Sequence, residues 1–301
     1  MLYLTAAGLA GCAFFVLGPV STWLAAARWV DGTPRAAVAL WQALGASAMV
    51  SGIGAGLCVA VERYHRGFGG GVRDLFIGAT TGHPLTGLGL PDALGLTLAV
   101  DLGIVLTCLF ATVVCRTLAA RVRHRRLVDL LSKRIHATGA AVLEHPAAVA
   151  YCVPGLRPRI VVSTGALSLL EDTEVSAVIA HERGHAIERH GLVMLPLVGL
   201  AAIFTFIPYA RLAPTAVAGL LEMTADDYAV RRCERSALAS ALVSMATAGA
   251  APCCAFGMNG GGVRRRVDRL VQRDRPPART AMALGLACAV LSLPVTLLVM
   301  S

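Results

Sequence analysis

The chain has 301 residues, of which 56% are hydrophobic and only 15% charged, and its formal net charge is +9. This composition excludes an ordinary soluble globular protein, because the apolar residues are concentrated in long runs. Many of the basic residues flank these runs, with one cluster in 116–134 and another in 264–279. Such clusters are typical of the cytosolic flanks of membrane spans, so we expect contact with the lipid bilayer and no direct nucleic-acid binding.

Three apolar segments within residues 1–119 are long enough to cross a bilayer, which takes about 20 residues. We predict transmembrane helices at about 2–27, 38–61 and 93–115, and a last one within 281–301. The arginine-rich stretch after the third segment is the strongest cytosolic marker. The amino terminus is therefore predicted outside the cell, and residues 120–280 in the cytosol.

The motif "HERGH" lies in a helix predicted from about residue 173 to residue 190. His181 and His185 are four residues apart, so both imidazoles can face one metal ion. Glu182 lies about 100° around the helix, where it can take a proton from the attacking water and pass it to the leaving amine. Zinc at this position would activate that water and polarise the scissile carbonyl. His190 is nine residues from His181, and we predict it on the opposite face, in contact with solvent or lipid headgroups.

A third ligand is needed before this short motif indicates a metal site. The stretch "GLLEMTADDYAVRR" supplies Glu222, which would complete a His-His-Glu set for one zinc ion per chain and leave a fourth position for water. Asp226 lies one helical turn further on, where it can hydrogen-bond a ligand histidine and select its tautomer. Asp227 points elsewhere and is interpreted as a solvated or structural acid.

The apolar segment 192–210 separates the two motifs and allows two interpretations. It is either a true span, which would place everything from residue 211 onward outside, or a hairpin that enters the membrane and returns. Three prolines interrupt it or follow it closely, namely Pro196, Pro208 and Pro214.

The pair HExxH and ExxxD, with an apolar segment between them, resembles the membrane-embedded gluzincins, which include the HtpX-type and CAAX-type proteases. The stretch "HPAAVAYCVPGLRPRIVVSTGALSLLEDTEVSAVIAHERGH" is most similar to the BlaR/MecR-type peptidases of bacterial β-lactam sensing, and the similarity covers roughly 120–235. The resemblance implies a multi-pass α-helical membrane protein of a bacterial cell membrane, with an α+β cytosolic gluzincin zinc protease domain. It also implies that 192–221 folds back as a re-entrant hairpin, so that Glu222 meets His181 and His185 on one side of the bilayer.

The segment "AVAYCVPGLRPRIVVST" predicts two short strands joined by a Pro-Gly turn. The second strand would be an edge strand that receives an extended substrate by backbone pairing, or else an ordinary strand of a small sheet. The residues of the predicted substrate edge are Ile160, Val161, Val162 and Ser163.

Together these patterns predict a zinc-dependent endopeptidase that cleaves a cytosolic regulator. By resemblance its substrate is a winged-helix repressor of the BlaI/MecI type, and the protein is the protease half of such a receptor without the penicillin-binding sensor domain. Two alternatives are an HtpX-like quality-control protease of membrane proteins and a non-catalytic membrane scaffold with a structural metal. The glutamate at position 182 argues against the scaffold, because a structural site needs no base. The sequence leaves the oligomeric state open, a homodimer included.

Overall fold

The structure is a computed structural model, and it describes residues 1–81, 88–131, 134–135, 139–155, 158–248, 260–272 and 277–301. The amino-terminal helices are α1 (Leu2–Phe15), α2 (Ser21–Ala26), α3 (Pro34–Val61), α4 (Gly67–Thr80) and α5 (Leu90–Leu131). The strands are β1 (Arg134–Ile135), β2 (Ala141–Leu143), β3 (Ala150–Val153) and β4 (Arg159–Ser163). The remaining helices are α6 (Thr164–Leu169), α7 (Asp172–Ile187), α8 (His190–Val193), α9 (Leu195–Ile203), α10 (Pro208–Ala229), α11 (Arg235–Thr247), α12 (Gly260–Val271) and α13 (Pro277–Val299).

Four helical segments of the described chain are long and apolar enough to cross a membrane, which indicates a membrane protein. They are Leu2–Ala26, Pro34–Tyr64, Leu90–Leu130 and Arg279–Val299. Helix α3 lies at the centre of this group, with α1, α5 and α13 packed around it. Helix α5 exposes large apolar side chains such as Leu98, Ile104 and Phe110, and lipid would cover these. Because α5 is about twice as long as a bilayer requires, its carboxyl-terminal half extends beyond the membrane.

The residues predicted as a re-entrant hairpin form α8, α9 and the first part of α10. Helix α7 and the α8–α9 segment are bent by 48° at the break between them. Arg189, at this break, has a positive φ of 52°, so the α-helix cannot continue through it. After α9 the chain turns within residues 204–207 and α10 packs back against α7.

The four strands form one sheet in the order β1-β2-β4-β3, in which β2 and β4 are parallel and the other pairs antiparallel. Helices α6, α7 and α11 cover one face of the sheet, where Val162 packs with Val178 and Ala241. The other face packs against α5 through Val128, which contacts the cluster around Val161. The sheet with its helices is compatible with an α+β domain attached to the apolar helices.

The predicted substrate edge is wrong in one respect: the strand of residues 160–163 is not at an edge. Strand β4 pairs with β2 on one side and β3 on the other, so its backbone groups are already used within the sheet. The reason is β2, a three-residue strand too short to give a periodic signal in the sequence. The edge strand that packs beside α7 is β3.

Ser163 therefore has a structural role. Its buried hydroxyl caps α6 by accepting from the amide of Ala166 (3.0 Å), accepts from the amide of Val149 (2.9 Å) and donates to the carbonyl of Ala147 (2.7 Å). Removing it would leave two buried amides without their acceptor.

We expect Ser163→Ala to destabilise the sheet and the helices packed on it by about 2 kcal/mol, because an N-cap and two further, partly buried hydrogen bonds are lost together. Ser168→Ala is the matched control, since the exposed Ser168 hydroxyl makes one bond, to the carbonyl of Gly165. Thermal unfolding of the detergent-solubilised protein measures the difference. Equal midpoints for the two variants would contradict the structural role.

Candidate metal centre

Helix α7 holds three of the predicted site residues. The helix starts with a capping box in which the side chains of Glu171 and Glu174 each bond the other's backbone amide. From this fixed start, His181 and His185 fall on one face, and their Nε2 atoms lie 3.1 Å apart. His181 is buried and His185 half-buried.

Helix α10 brings Glu222 to these two histidines. Its Oε2 atom lies 3.3 Å from Nε2 of His181, and its Oε1 atom lies 3.4 Å from Nε2 of His185. Gly184 permits this approach, because a side chain there would meet Ala225 and Tyr228 of α10 at about 3.1 Å. One buried face of α7 therefore lies directly against the ligand-bearing face of α10.

The distances between these side chains suit a zinc ion. Ligands bound at about 2.0–2.2 Å to a tetrahedral ion lie about 3.4 Å from one another. Here the two Nε2 atoms are 3.1 Å apart, and the two oxygens of Glu222 each approach one of them, Oε2 at 3.3 Å from His181 and Oε1 at 3.4 Å from His185. Two imidazole nitrogens and one carboxylate are also a donor set that zinc prefers in catalytic sites. Among the described residues, the group His181, His185 and Glu222 can hold one metal ion.

Hydrogen bonds to the second ring nitrogens leave both Nε2 atoms available to a metal. Nδ1 of His181 lies 3.0 Å from Oδ1 of Asp226, so it donates to that carboxylate. The sequence predicted this role for Asp226. The corresponding partner of His185 is His190, whose Nδ1 lies 2.8 Å from Nδ1 of His185.

The prediction that His190 contacts solvent or headgroups is wrong, since its side chain is buried. It assumed one continuous helix, whereas α7 ends before the left-handed Arg189 and the chain turns His190 back toward His185. The Thr224 hydroxyl donates to a backbone carbonyl, so its oxygen accepts from Nε2 of His190 at 2.9 Å. Glu188 accepts from the same nitrogen at 3.2 Å. Nδ1 of His190 is then the acceptor for His185.

Sequence reasoning missed Arg266, which it placed only among the basic flanks. The buried guanidinium pairs with both oxygens of Asp226 (2.8 and 2.6 Å) and lies 3.0 Å from Oε2 of Glu222. Burial opposes ionisation of Asp226, but Arg266 and His181 hold the pKa of that carboxyl well below its usual range. A signal exists in the sequence: Arg266 falls in the apolar stripe formed by Val263, Val267 and Leu270.

Asp227 is a structural acid, and it is not solvated. It is buried and pairs with Nη1 and Nη2 of Arg269 at 3.0 and 2.8 Å. Arg269 also donates from Nε to the backbone carbonyl of Asp31 (2.6 Å), and Arg265 pairs with the Asp31 carboxylate. Helix α12, which carries Arg266, is thus held between α10 and the loop that joins α2 to α3.

Glu182 lies beside the three ligands, as a general base would. Burial raises the pKa of Glu182 to about 7, against the opposing positive charge of His181. The backbone amide of Cys152, in β3, faces the Glu182 carboxylate and opposes this rise in pKa. A carboxylate with a pKa near neutrality is suited both to accept a proton and to release it.

We expect zinc affinity to depend on pH through His181. Burial disfavours its charged form, but hydrogen bonds to Asp226 and Glu222 outweigh burial and raise the pKa of His181 to about 9. Since a ligand imidazole must be neutral, binding releases this proton below pH 9, and affinity should fall about tenfold for each unit that the pH falls from 8.5 to 7. Competition with a chelating dye of known proton affinity measures the slope. A flat profile would contradict the assignment.

We expect His190→Phe to weaken zinc binding by roughly 10- to 100-fold, because His185 would lose the partner that orients it. His190→Asn, which keeps an acceptor near the position of Nδ1, should recover part of the affinity. His145→Phe is the control, since His145 is exposed. The same competition assay and the absorption spectrum of the cobalt-substituted protein give the readout. Unchanged affinity and spectrum in His190→Phe would refute the role.

Comparison with known proteins agrees with this geometry. A family model described as peptidase family M48 matches residues 123–273, about half of the chain. No curated protein and no solved structure matches the chain. The matched residues include all three candidate ligands, Glu182 and Arg266. The chain therefore belongs to peptidase family M48, a family of zinc-dependent metallopeptidases.

Proposed function

We propose that this protein is a membrane-embedded zinc endopeptidase of the BlaR/MecR type that hydrolyses peptide bonds in a cytosolic regulator. The observation that carries the proposal is the close grouping of His181, His185 and Glu222, with Glu182 beside them. A purely structural metal site would not need that fourth residue.

Each of the site residues has a different role in the proposed reaction. Zinc, when bound by the three ligands, supplies a Lewis acid that lowers the pKa of water and polarises a carbonyl. Glu182 accepts the proton of the attacking water and hands it to the leaving amine. The Cys152 amide faces the Glu182 carboxylate and favours its ionised form. Asp226 keeps His181 in the tautomer that leaves Nε2 free.

Strand β3 is suited to hold the substrate. The amide of Ser163 donates to the carbonyl of Val149 (2.8 Å), and bonded pairs alternate along an antiparallel ladder. The backbone groups of Ala150 therefore point away from β4, toward the open edge, and the Cys152 amide, on the same side, faces Glu182. An extended peptide can pair with this edge by strand addition, next to the carboxylate of Glu182.

Charge supports a cytosolic position for the peptidase region, residues 120–280. The loop between α2 and α3 contacts α12 through Asp31, and Arg35 at the start of α3 pairs with Glu188. The arginine-rich end of α5 reaches the same side, where Arg121 lies against Gly191. Since short loops and span ends rich in arginine stay in the cytosol, the zinc site on that side would face a cytosolic substrate.

We expect Glu182→Gln to lower peptidase activity by about 10²- to 10⁴-fold while zinc stays bound, because the general base is lost and the ligands remain. Quantitative terminal-peptide proteomics of host cells that carry the wild type or Glu182→Gln measures the loss of cleavage in the cell. Glu234→Gln, at an exposed position on the surface, is the matched control.

The pattern of lost cleavages decides the function. One cytosolic regulator whose new terminus vanishes in the Glu182→Gln cells, and persists in the control cells, would support a signalling protease. Many lost cleavages in membrane proteins would instead indicate the HtpX-like quality-control role. An unchanged set of termini, also under cell-wall stress, would contradict proteolysis by this site.

A further inference from the structure

An open groove of about 1040 Å³ lies between α5 and the end of β3. Residues 116–124 of α5 form one wall, and residues 152–154 form the other. The size suits several residues of an extended peptide. The β3 wall includes Cys152, whose backbone amide faces Glu182. The groove therefore lies next to the residue of β3 that faces the candidate catalytic carboxylate.

The α5 wall of this groove is basic. It carries Arg116, Arg121, Arg123 and His124. Over the part of the chain that the structure describes, none of these three arginines forms a salt bridge with a carboxylate. The wall thus presents positive charge that no described carboxylate neutralises through a salt bridge.

Of the three groove arginines, Arg121 is the one that interacts electrostatically with Cys152. Burial raises the pKa of the Cys152 thiol to about 12, and that thiol interacts electrostatically with both Glu182 and Arg121. Both charged groups are thus near one residue of β3. Adjacent residues of an extended chain are only about 3.3 Å apart, so Arg121 is within reach of side chains a few residues from the bond that Glu182 would help to break.

The Arg121 guanidinium lies against the backbone of α8. A Cβ on Gly191 would be 2.5 Å from Nη2 of Arg121, so a side chain at this position would make the guanidinium shift. Arg121 is half-buried, whereas Arg116 and Arg123 are exposed. An arginine that served only as a basic flank of the third span would instead extend toward the lipid headgroups.

We propose that the groove selects substrates by charge: it binds an extended peptide segment against β3 and pairs Arg121 with an aspartate or glutamate side chain within a few residues of the scissile bond. This inference rests on the proposed peptidase function and names the class of substrate that the site takes. A planar guanidinium pairs with a carboxylate through two parallel hydrogen bonds, which gives this contact its preference over an amide.

The test uses the full chain with zinc in phosphatidylcholine nanodiscs and internally quenched peptides that differ at one position, where Glu, Gln or Lys is placed. We expect wild type to cleave the Glu peptide with a kcat/KM roughly tenfold above that of the Gln peptide at one or two positions near the cleaved bond. Arg121→Gln should abolish the ratio, Arg121→Lys should keep part of it, and Arg121→Glu should transfer the preference to the Lys peptide. Zinc affinity of each variant shows that the site is still folded.

Arg126→Gln is the matched control, because Arg126 is an exposed arginine of α5 outside the groove, and it should keep the wild-type ratio.

Equal cleavage of the three peptides by wild type would overturn the charge selection and leave the peptidase proposal standing. If Arg121→Gln lowered the rates on all peptides alike, and only in nanodiscs that contain phosphatidylglycerol, Arg121 would be a lipid-headgroup contact and the inference would be wrong. If no peptide were cleaved in a zinc- and Glu182-dependent manner, the proposed function itself would fail.

Discussion

The guanidinium of Arg266 neutralises two buried carboxylates, Asp226 and Glu222, at the place where α7, α10 and α12 meet. Each of these ions would cost several kcal/mol in a desolvated site without a partner. With Arg266 in place, Glu222 stays ionised and can act as a metal ligand, and Asp226 stays ionised and can accept from His181. The same positive charge also repels a cation at the ligand atoms. Arg266 therefore keeps Glu222 ionised and at the same time weakens the attraction between the candidate ligands and a metal cation.

The contacts that assemble the site are also those that hold the peptidase region together. Arg266 reaches the ligands only because α12 is held by Arg269 against Asp227 of α10 and by Arg265 against the loop after α2. The two candidate ligand histidines likewise have different hydrogen-bond partners: Asp226 for His181 and His190 for His185. Rigidity of this kind is what a catalytic constellation requires, because ligand and base must keep their relative positions during turnover.

Local spacing explains which parts of the site could be predicted. The period of the α-helix alone places His181, Glu182 and His185 around one point, and it relates Glu222 to Asp226 in the same way. Arg266 could not be separated from its neighbours, because an arginine beside an apolar run satisfies the rule for membrane flanks equally well. The position of His190 follows from the left-handed backbone of Arg189. The sequence does not predict this conformation, because it is expected mainly at glycine. The interior position of β4 depended on a parallel partner of three residues, whose pairing is set by tertiary packing.

Helix α3 connects the bilayer to the second ligand histidine. It has 28 residues and is therefore about 42 Å long, more than the roughly 30 Å hydrocarbon core, so it tilts within the membrane or extends beyond it. Arg35, in its first turn, holds Glu188, which in turn bonds His190. His190 bonds His185 in turn. The orientation of His185 is thereby linked, through three side-chain contacts, to the position of a helix that is long enough to cross the bilayer.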